Sequence, residues 1–212
     1  MKRNWYRRWG KRFGDLALGL LLSMLLLPLT LTTAVVVAVG MGLPVLFRQD
    51  RVGLNGNVFQ LLKFRSMTDL CDTNGVLAPD QQRLTLIGKT LRKLSLDELP
   101  QLWNVIRGDM SLVGPRPLLT RYMPRYSAHQ RRRHEVLPGI TGWAQVNGRN
   151  ALMWEQKFDL DVWYADRISP GLDLKIIWFT IISVFQPRDV SAEGHATMPE
   201  FMETEDSLTS HD

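Results

Sequence analysis

The chain has 212 residues, 45% of them hydrophobic, and a formal net charge of +5. This length allows one large domain or a small domain with an appendage, and the apolar content is sufficient for a core. The single cysteine, Cys71, excludes an intrachain disulfide and fits a reducing compartment. The four histidines form no metal-ligand pattern.

The charge is distributed unevenly along the chain. Residues 189–212 contain seven acidic residues and no Lys or Arg, so residues 1–188 carry 26 basic and 14 acidic side chains. The tail is rich in Ser, Thr and Glu and is predicted to be disordered. A body with a net charge of +12 predicts an anionic partner: nucleic acid, an acidic membrane face or phosphorylated substrates.

Residues 16–47 form a run of 32 residues without a charge, which is long enough to cross a bilayer as a tilted helix. Pro28 breaks this run after 12 residues, or about 18 Å of helix, against a hydrocarbon core of about 30 Å. Lys and Arg residues flank the run on both sides, and this favours a re-entrant hairpin with both ends in the cytoplasm. A kinked single span and a cleaved signal peptide remain alternatives, although Thr32-Thr33-Ala34 is a poor cleavage site.

The next segments predict a β-hairpin and a helix. The stretches "LFRQDRV" and "VFQLLKFRSM" flank Asn55-Gly56, a strong hairpin signal, and place Lys63 and Arg65 on one face of the second strand. A polar loop, "CDTNGVLAPDQQ", precedes a predicted helix, "RLTLIGKTLRKL", with Arg92 near its end.

Two neighbouring acids lie in "SLDELPQL". Ser95 and Glu98 have the spacing of a capping box, and acids in a first turn complement the positive end of a helix. If Asp97 is the cap instead, Pro100 falls where no donor is needed. The predicted helix ends at Gly108. Because free N–H groups at a helix start also favour phosphate, capping and phosphate chemistry both remain open.

Four later motifs each allow a structural and a functional interpretation. Arg116 lies between Pro115 and Pro117, which hold it on extended backbone. It is either a surface arginine of a plain loop or a residue of a functional site. The glycine-rich "LPGITGWAQVNGR", which ends at Arg149, predicts turns or a close approach to phosphate. The run "HQRRRHEV" predicts a solvated helix face, or contact with acidic headgroups or nucleic acid. The segment "DLKIIWFTIISVF" is too short to span and predicts a core or interfacial helix.

Several of these motifs together closely resemble the bacterial sugar transferase family, the small monotopic phosphoglycosyl transferases. The resemblance covers roughly residues 11–188, and relatives often have a serine where this chain has Leu27, before the breaking proline. The motifs that carry it are "KRFGD", "KFRSM", "LRKLSLDELPQL", "GDMSLVGPRP", "PGITGWAQVNGR" and "DLDVWYAD".

The resemblance implies an activity: transfer of a phosphosugar from a UDP-sugar to polyprenol (undecaprenyl) phosphate, with Mg2+, at the cytoplasmic face of the bacterial inner membrane. This would be the first membrane step of glycan assembly. By resemblance, Asp97 matches the nucleophile and Glu98 its partner near the metal, both candidate metal ligands, and Pro28 matches the helix-breaking proline. The polar positions around the active site are matched by Lys63, Arg92, Arg116, Arg149 and Asp161.

The many basic side chains suit the reaction that the resemblance implies. Attack on a diphosphate requires several neutralised oxygens, which basic side chains and a hydrated Mg2+ can supply. A carboxylate at a helix start stays ionised, so Asp97 can act as a nucleophile that releases UMP. The same reaction in a ternary complex, with Asp97 as base or ligand, is the nearest alternative. A membrane-anchored module that binds anionic lipid or nucleic acid is a different class; no nucleic-acid recognition motif is present.

The predicted fold is α+β and mostly α, with a re-entrant membrane helix broken at Pro28, a small β-hairpin, and interfacial or amphipathic helices around a cytoplasmic active site. The predicted units are residues 1–47 (basic N-terminus and membrane helix), 48–188 (catalytic domain) and 189–212 (acidic disordered tail). The expected partners are a UDP-sugar, polyprenol phosphate and membrane lipid, and homodimerisation is left open.

Overall fold

A computed structural model of the chain describes residues 5–73, 75–148, 152–185 and 201. Most of the described residues are helical, and two short pairs of strands accompany them, which confirms the predicted α+β class. The helices are α1 (Lys11–Leu25), α2 (Leu27–Met41), α3 (Asp80–Arg83), α4 (Leu86–Lys93), α5 (Gln101–Arg107), α6 (Ala128–Arg131), α7 (Trp143–Val146), α8 (Trp154–Arg167) and α9 (Pro170–Phe185). The strands are β1 (Leu46–Val52), β2 (Val58–Phe64), β3 (Ser111–Val113) and β4 (Gly139–Thr141).

The long apolar run forms a bent pair of helices, α1 and α2, whose axes differ by 62°. Pro28 lies in the first turn of α2, where its fixed φ and missing N–H are tolerated. Among the described residues, no single helix has the length and apolarity to cross a membrane, whereas this bent pair has both. The break beside Pro28 agrees with the sequence, and re-entry itself stays a prediction.

Strands β1 and β2 form the predicted antiparallel hairpin. Their register pairs Leu46 with Phe64 and Val52 with Val58. At the turn, Asn55 and Gly56 have φ values of 54° and 82°, the left-handed conformation that Asn and Gly adopt most readily. The hairpin brings Lys63, near the end of β2, towards the turn that follows α4, with Lys63 Nζ 3.0 Å from Glu98 Oε1.

The main core lies between β2, α5, β3, α8 and α9. Its fully buried members include Val105, Met110, Tyr164 and Ile176, which are at most 1% exposed. Leu22 of α1 and Leu26, which follows that helix, pack against this core. The described part of the N-terminal segment is therefore in direct contact with the unit that carries the acidic pair.

A buried polar network also fastens α1 to the rest of the chain. Lys11 Nζ donates to Asp173 Oδ2 of α9 at 2.7 Å, and Tyr164 of α8 donates its hydroxyl to Asp173 Oδ1 at 2.7 Å. Further along α1, Asp15 Oδ1 accepts a hydrogen bond from Ser111 Oγ at 3.0 Å. Because buried charges are stable only when paired, these contacts fix the position of α1 on the core.

The glycine-rich segment makes close backbone contacts with the segment that contains Arg116. Strands β3 and β4 are parallel, and Gly139 N donates to the Pro115 carbonyl at 2.9 Å. A Cβ on Gly139 would lie only 2.0 Å from Gly114 N, so glycine is required for this approach. Gly139 thus allows the two segments to pack closely, and its hydrogen bond holds the Pro-Arg-Pro segment in place.

The structure corrects the prediction for the basic run "HQRRRHEV" and shows that both alternatives hold for the segment that forms α9. The run "HQRRRHEV" does not form one solvated helix face, because Arg133 is 2% exposed and paired with Asp161. Helix α9 combines the two alternatives for its segment: Ile176 is fully buried, whereas Leu174 and Trp178 are more than 60% exposed.

Candidate active site

The acidic pair lies in a short 3₁₀ turn, Leu96–Glu98, between α4 and α5. The predicted capping box is wrong: Ser95 adopts the left-handed conformation, with φ of 55°, and its side chain makes no cap hydrogen bond. Helix α5 begins only at Gln101, with Pro100 in the cap position, so neither acid caps it. Capping therefore does not account for Asp97 and Glu98, and the helix-dipole argument for an ionised Asp97 does not apply.

Glu98 is held by two cations. Its Oε1 accepts hydrogen bonds from Lys63 Nζ at 3.0 Å and from Arg116 Nη2 at 2.8 Å. Burial by itself raises the pKa of Glu98, but the charges of Arg116 and Lys63 outweigh it and lower the pKa to about 2. Glu98 is accordingly a permanent anion at neutral pH.

Asp97 has the opposite environment. Its side chain is buried, and Lys63 Nζ lies 3.8 Å from its Oδ2. Burial raises the pKa of Asp97 and the neighbouring Glu98 charge adds to this, while Lys63, Arg92 and Arg116 lower it in part. The carboxylate of Asp97 is thus destabilised in the free protein, and positive charge brought by a ligand would be favourable there.

Arg92 reaches the site from the end of α4. Its Nε donates to Ser66 Oγ at 3.0 Å, and its charge acts on Asp97. The helix packs tightly against the chain at Ser66, because a Cβ on Gly88 would lie 1.8 Å from the Ser66 carbonyl oxygen. Gly88 therefore sets the distance between α4 and the segment after β2, and with it the position of Arg92.

Asp161 lies behind the site and acts through another residue. Arg133 donates to Asp161 Oδ2 from Nε at 3.0 Å and from Nη2 at 2.7 Å, and the same Nη2 donates to the Arg116 carbonyl at 2.7 Å. The Arg116 backbone is thus fixed by a buried ion pair as well as by its two flanking prolines. Sequence reasoning singled out Asp161 but missed Arg133, because nothing distinguishes it within the basic run.

An aromatic cluster packs against Arg133, whose guanidinium carbon lies 5.5 Å from the centre of the Phe158 ring. Phe201, the described residue of the acidic tail, is 2% exposed and lies in this cluster, with its ring centre 5.0 Å from that of Phe158. Arg125 donates a hydrogen bond to the Phe201 carbonyl. At this position the tail departs from the predicted disorder; its remaining residues lie outside the described part.

The predicted site residues therefore fall into three groups. The structure brings Lys63, Asp97, Glu98 and Arg116 into one cluster of charges, with Arg92 at its edge. Asp161 supports that cluster from behind. Arg149 lies outside the described residues.

Asp97 and Glu98 could supply two ligands to a Mg2+ ion whose other ligands are substrate phosphates and water. Within the described ranges, no group of three or more His, Cys, Asp or Glu side chains could hold a metal ion. Two adjacent carboxylates are nevertheless the kind of set that binds Mg2+ together with substrate phosphates and water. Asp97, whose pKa is raised by burial and by Glu98, would gain most from such a cation.

Comparison with known proteins identifies the family of the chain. Residues 6–187 match the family model described as bacterial sugar transferase. The chain belongs to the bacterial sugar transferase family. It is 52% identical over 191 residues to the uncharacterized sugar transferase EpsL of Bacillus subtilis (strain 168). These residues cover 90% of this chain and 95% of that protein.

Relatives with named activities are longer. The undecaprenyl-phosphate glucose phosphotransferase of Komagataeibacter xylinus is 44% identical over 81% of this chain, but only 35% of that protein is covered. The UDP-glucose:undecaprenyl-phosphate glucose-1-phosphate transferase of Escherichia coli (strain K12) is 37% identical over 82% of this chain and 40% of its own length. The chain thus spans well under half of these two bacterial sugar transferases.

Proposed function

We propose that this bacterial sugar transferase moves a sugar-1-phosphate from a UDP-sugar to polyprenol phosphate and releases UMP. The observation that carries the proposal is the acidic pair: Glu98 is paired with Lys63 and Arg116, and Asp97 is buried beside it with Lys63 3.8 Å away. The names of the longer relatives, which specify UDP-glucose and undecaprenyl phosphate, support this class of substrates.

The proposed reaction has two displacement steps. An oxygen of Asp97 attacks the sugar-bearing phosphorus of the UDP-sugar, the bond from that phosphorus to the bridging oxygen breaks, and UMP leaves. An oxygen of polyprenol phosphate then attacks the same phosphorus and regenerates the Asp97 carboxylate. We assign to the basic side chains the task of neutralising phosphate oxygens in both steps. These are Lys63, Arg92, Arg116 and Arg149.

Mg2+, held by Asp97 and Glu98 together with the diphosphate, would neutralise charge on the phosphate oxygens. Glu98 also keeps the Lys63 and Arg116 side chains together before substrate arrives, at 3.0 and 2.8 Å. This preorganisation lowers the cost of assembling positive charge during the reaction. The roles of Mg2+, Asp97 and Glu98 are all part of the proposal.

We further propose attachment to the cytoplasmic face of the inner membrane by a re-entrant α1–α2 hairpin. Large apolar side chains on α1, α2 and α9 are exposed, among them Phe13, Leu31, Val39 and Trp178, each more than half exposed. Such an area is characteristic of a membrane-facing surface. It would place the acidic pair at the depth of lipid headgroups, within reach of a lipid phosphate.

A ternary-complex mechanism is the second candidate. The raised pKa of Asp97 would suit a base that takes a proton as well as a nucleophile. In that mechanism UMP is released only after polyprenol phosphate binds. In the membrane-anchored binding module, the charges would bind anionic lipid or nucleic acid without chemistry.

One experiment separates the three candidates. Enzyme mixed with a UDP-sugar and Mg2+ alone is expected to release about one UMP per active site and to gain the mass of a phosphosugar on the peptide that contains Asp97. Because acyl phosphates hydrolyse readily, the reaction needs a fast acid quench. UMP release that requires polyprenol phosphate, with intersecting initial-rate lines, would establish the ternary mechanism. Absence of UMP release with all UDP-sugars and with lipid would exclude the enzymatic proposal.

A further inference from the structure

A cavity of about 380 Å3, open to the surface beside the exposed residues Leu29, Val36 and Leu86, lies between α2 and α4, outside the cluster of charges described above. Its volume is on the scale of small-ligand sites, roughly 300–1,000 Å3. Leucine, isoleucine, valine and threonine side chains line it. The buried residues Val37 of α2, Phe64 of β2 and Leu91 of α4 pack together beside it. The cavity therefore adjoins a filled core cluster.

The threonines do not make this cavity polar. Thr32 and Thr33 of α2 donate their hydroxyls to the carbonyls of Pro28 and Leu29, at 2.9 and 2.8 Å. Thr90 of α4 donates in the same way to a carbonyl of its own helix, at 3.1 Å. Each hydroxyl is thus satisfied four residues back, and none requires a polar ligand from the cavity.

The cavity borders the proposed reaction centre. Leu91 and Leu96 line it, and the residues that follow them in the chain are Arg92 and Asp97. An extended ligand in the cavity would thus have an apolar lining and, beside Leu91 and Leu96, would lie next to the chain segments that carry Arg92 and Asp97. Helix α2, which forms one wall, belongs to the apolar hairpin.

The geometry points to this α2–α4 cavity as the site for the first isoprene units of the polyprenol phosphate. This inference rests on the proposed function, because it assigns the lipid substrate of the same reaction. An isoprenoid chain with a terminal phosphate matches both the apolar lining and the charge that follows it. The cavity fixes the chain beside α4, so the lipid phosphate lies at the Arg92 and Asp97 end.

A substitution that fills the cavity tests the assignment. Thr90→Trp should raise the KM for polyprenol phosphate by at least about tenfold, the scale of loss when an apolar site is overfilled. UMP release from the UDP-sugar alone should be unchanged, because Thr90 is not part of the charge cluster. The matched control is Lys89→Trp, at an exposed position of the same helix that does not line the cavity. Thr90→Val, which keeps the shape, should behave as the unsubstituted protein.

UMP release is measured first and the KM for polyprenol phosphate second, so that a failure of the proposed function is distinguished from a failure of the cavity assignment. UMP release by the unsubstituted protein tests the proposed function by itself. With that release intact, an unchanged KM in Thr90→Trp, or an equal rise in Lys89→Trp, would overturn the assignment. A diazirine in the first isoprene units of a polyprenyl phosphate should label the peptide that contains Thr90 or Leu96. Labelling there by a diazirine phospholipid, and not by the polyprenyl probe, would identify a site for bulk lipid and also overturn the assignment.

Discussion

Asp97 and Glu98 are neighbours in the chain, yet their electrostatic environments are opposite. The pKa of Glu98 is lowered to about 2 against burial, and the pKa of Asp97 is raised by burial. The difference arises from geometry: Lys63 and Arg116 hydrogen-bond to Glu98, whereas Lys63 is 3.8 Å from Asp97. Of the two carboxylates in one turn, the ionised form of Glu98 is thereby stabilised, whereas the ionised form of Asp97 is disfavoured.

Substitution of Asp97 by Asn should therefore lower activity without lowering the stability of the fold. Turnover should fall at least about a thousandfold, on the order of 4 kcal/mol in the barrier. Stability near neutral pH should be unchanged or higher, because a raised pKa means that the ionised form is disfavoured in the folded state. Thermal unfolding and UMP release on the same preparation measure both. Near-normal UMP release would exclude Asp97 as the reacting group.

Glu98→Gln is the matched comparison and should lower stability. The lowered pKa means that the Glu98 carboxylate stabilises the fold above its ordinary pKa of 4.5 and that this contribution is lost as the pH falls towards 2. The variant should lose roughly 1.5–3 kcal/mol, the value of hydrogen bonds to charged groups. Its difference from the unsubstituted protein should be constant above about pH 5 and shrink in acid. A loss that does not depend on pH would contradict this assignment.

The sequence predicted which charged residues lie together better than how they are held. Lys63, Asp97, Glu98 and Arg116 are assembled as expected. The capping box failed because Ser95 is the left-handed residue of a tight reversal after α4, a choice that local spacing does not reveal. The support of Arg116 by Arg133 joins residues 17 positions apart and could not be read from local periodicity.

At the scale of elements, the contact between α4 and Ser66 controls the position of Arg92. Gly88→Ala places a Cβ where the Ser66 carbonyl oxygen lies, so α4 must move away. We expect a stability loss of at least about 1–3 kcal/mol, as in overpacked cores, and reduced turnover because the Arg92–Ser66 contact is lost.

The control for Gly88→Ala is Gly171→Ala in α9, where no atom lies within 4 Å of the added Cβ. There alanine should raise stability by about 0.5–1 kcal/mol, because it reduces the freedom of the unfolded chain. Denaturant unfolding of both variants provides the comparison. Equal effects at the two positions would show that helix propensity, and not the contact with Ser66, decides.

The elements with strong local signals were predicted well. The hairpin about Asn55-Gly56 and the helix end at Gly108 both follow from residues that favour positive φ. Helix α6 begins with a capping box between Ser127 and Gln130. The spacing in "SAHQ" is a local signal for a helix start, and the sequence analysis missed it. Strands β3 and β4 have three residues each, too few for a periodic pattern, and they pair through glycine contacts that depend on the whole fold.

For the whole molecule, the attachment of α1 depends on Asp173, which accepts from Lys11, Tyr164 and, at 2.6 Å, the Tyr6 hydroxyl. Lys11→Met leaves a buried carboxylate without its cation and should cost about 3 kcal/mol, the low end for broken buried pairs because two hydroxyls still donate. Unfolding in denaturant measures the loss. Lys89→Met, at an exposed position, is the control, and equal stability of the two variants would show that the network contributes nothing.

The topology of the whole chain is open to a direct test. If the apolar run re-enters at its 62° bend, as proposed, single cysteines at positions 4 and 57, with Cys71 replaced, should both react only with reagents on the cytoplasmic side. Labelling of position 57 from the periplasm would establish a single span. Pro28→Ala restores a backbone N–H at the bend and should shift part of the population towards a full span.

Phe201 sets where a shortened version of this protein can end. The family match stops at residue 187, so a chain cut at that boundary would lack the ring that packs on Tyr122, Tyr126 and Phe158. Those aromatic faces would then meet water, and they surround the arginine that fixes the Arg116 backbone. For expression and crystallisation, residue 201 is therefore the earliest safe C-terminal boundary, and tags belong beyond it.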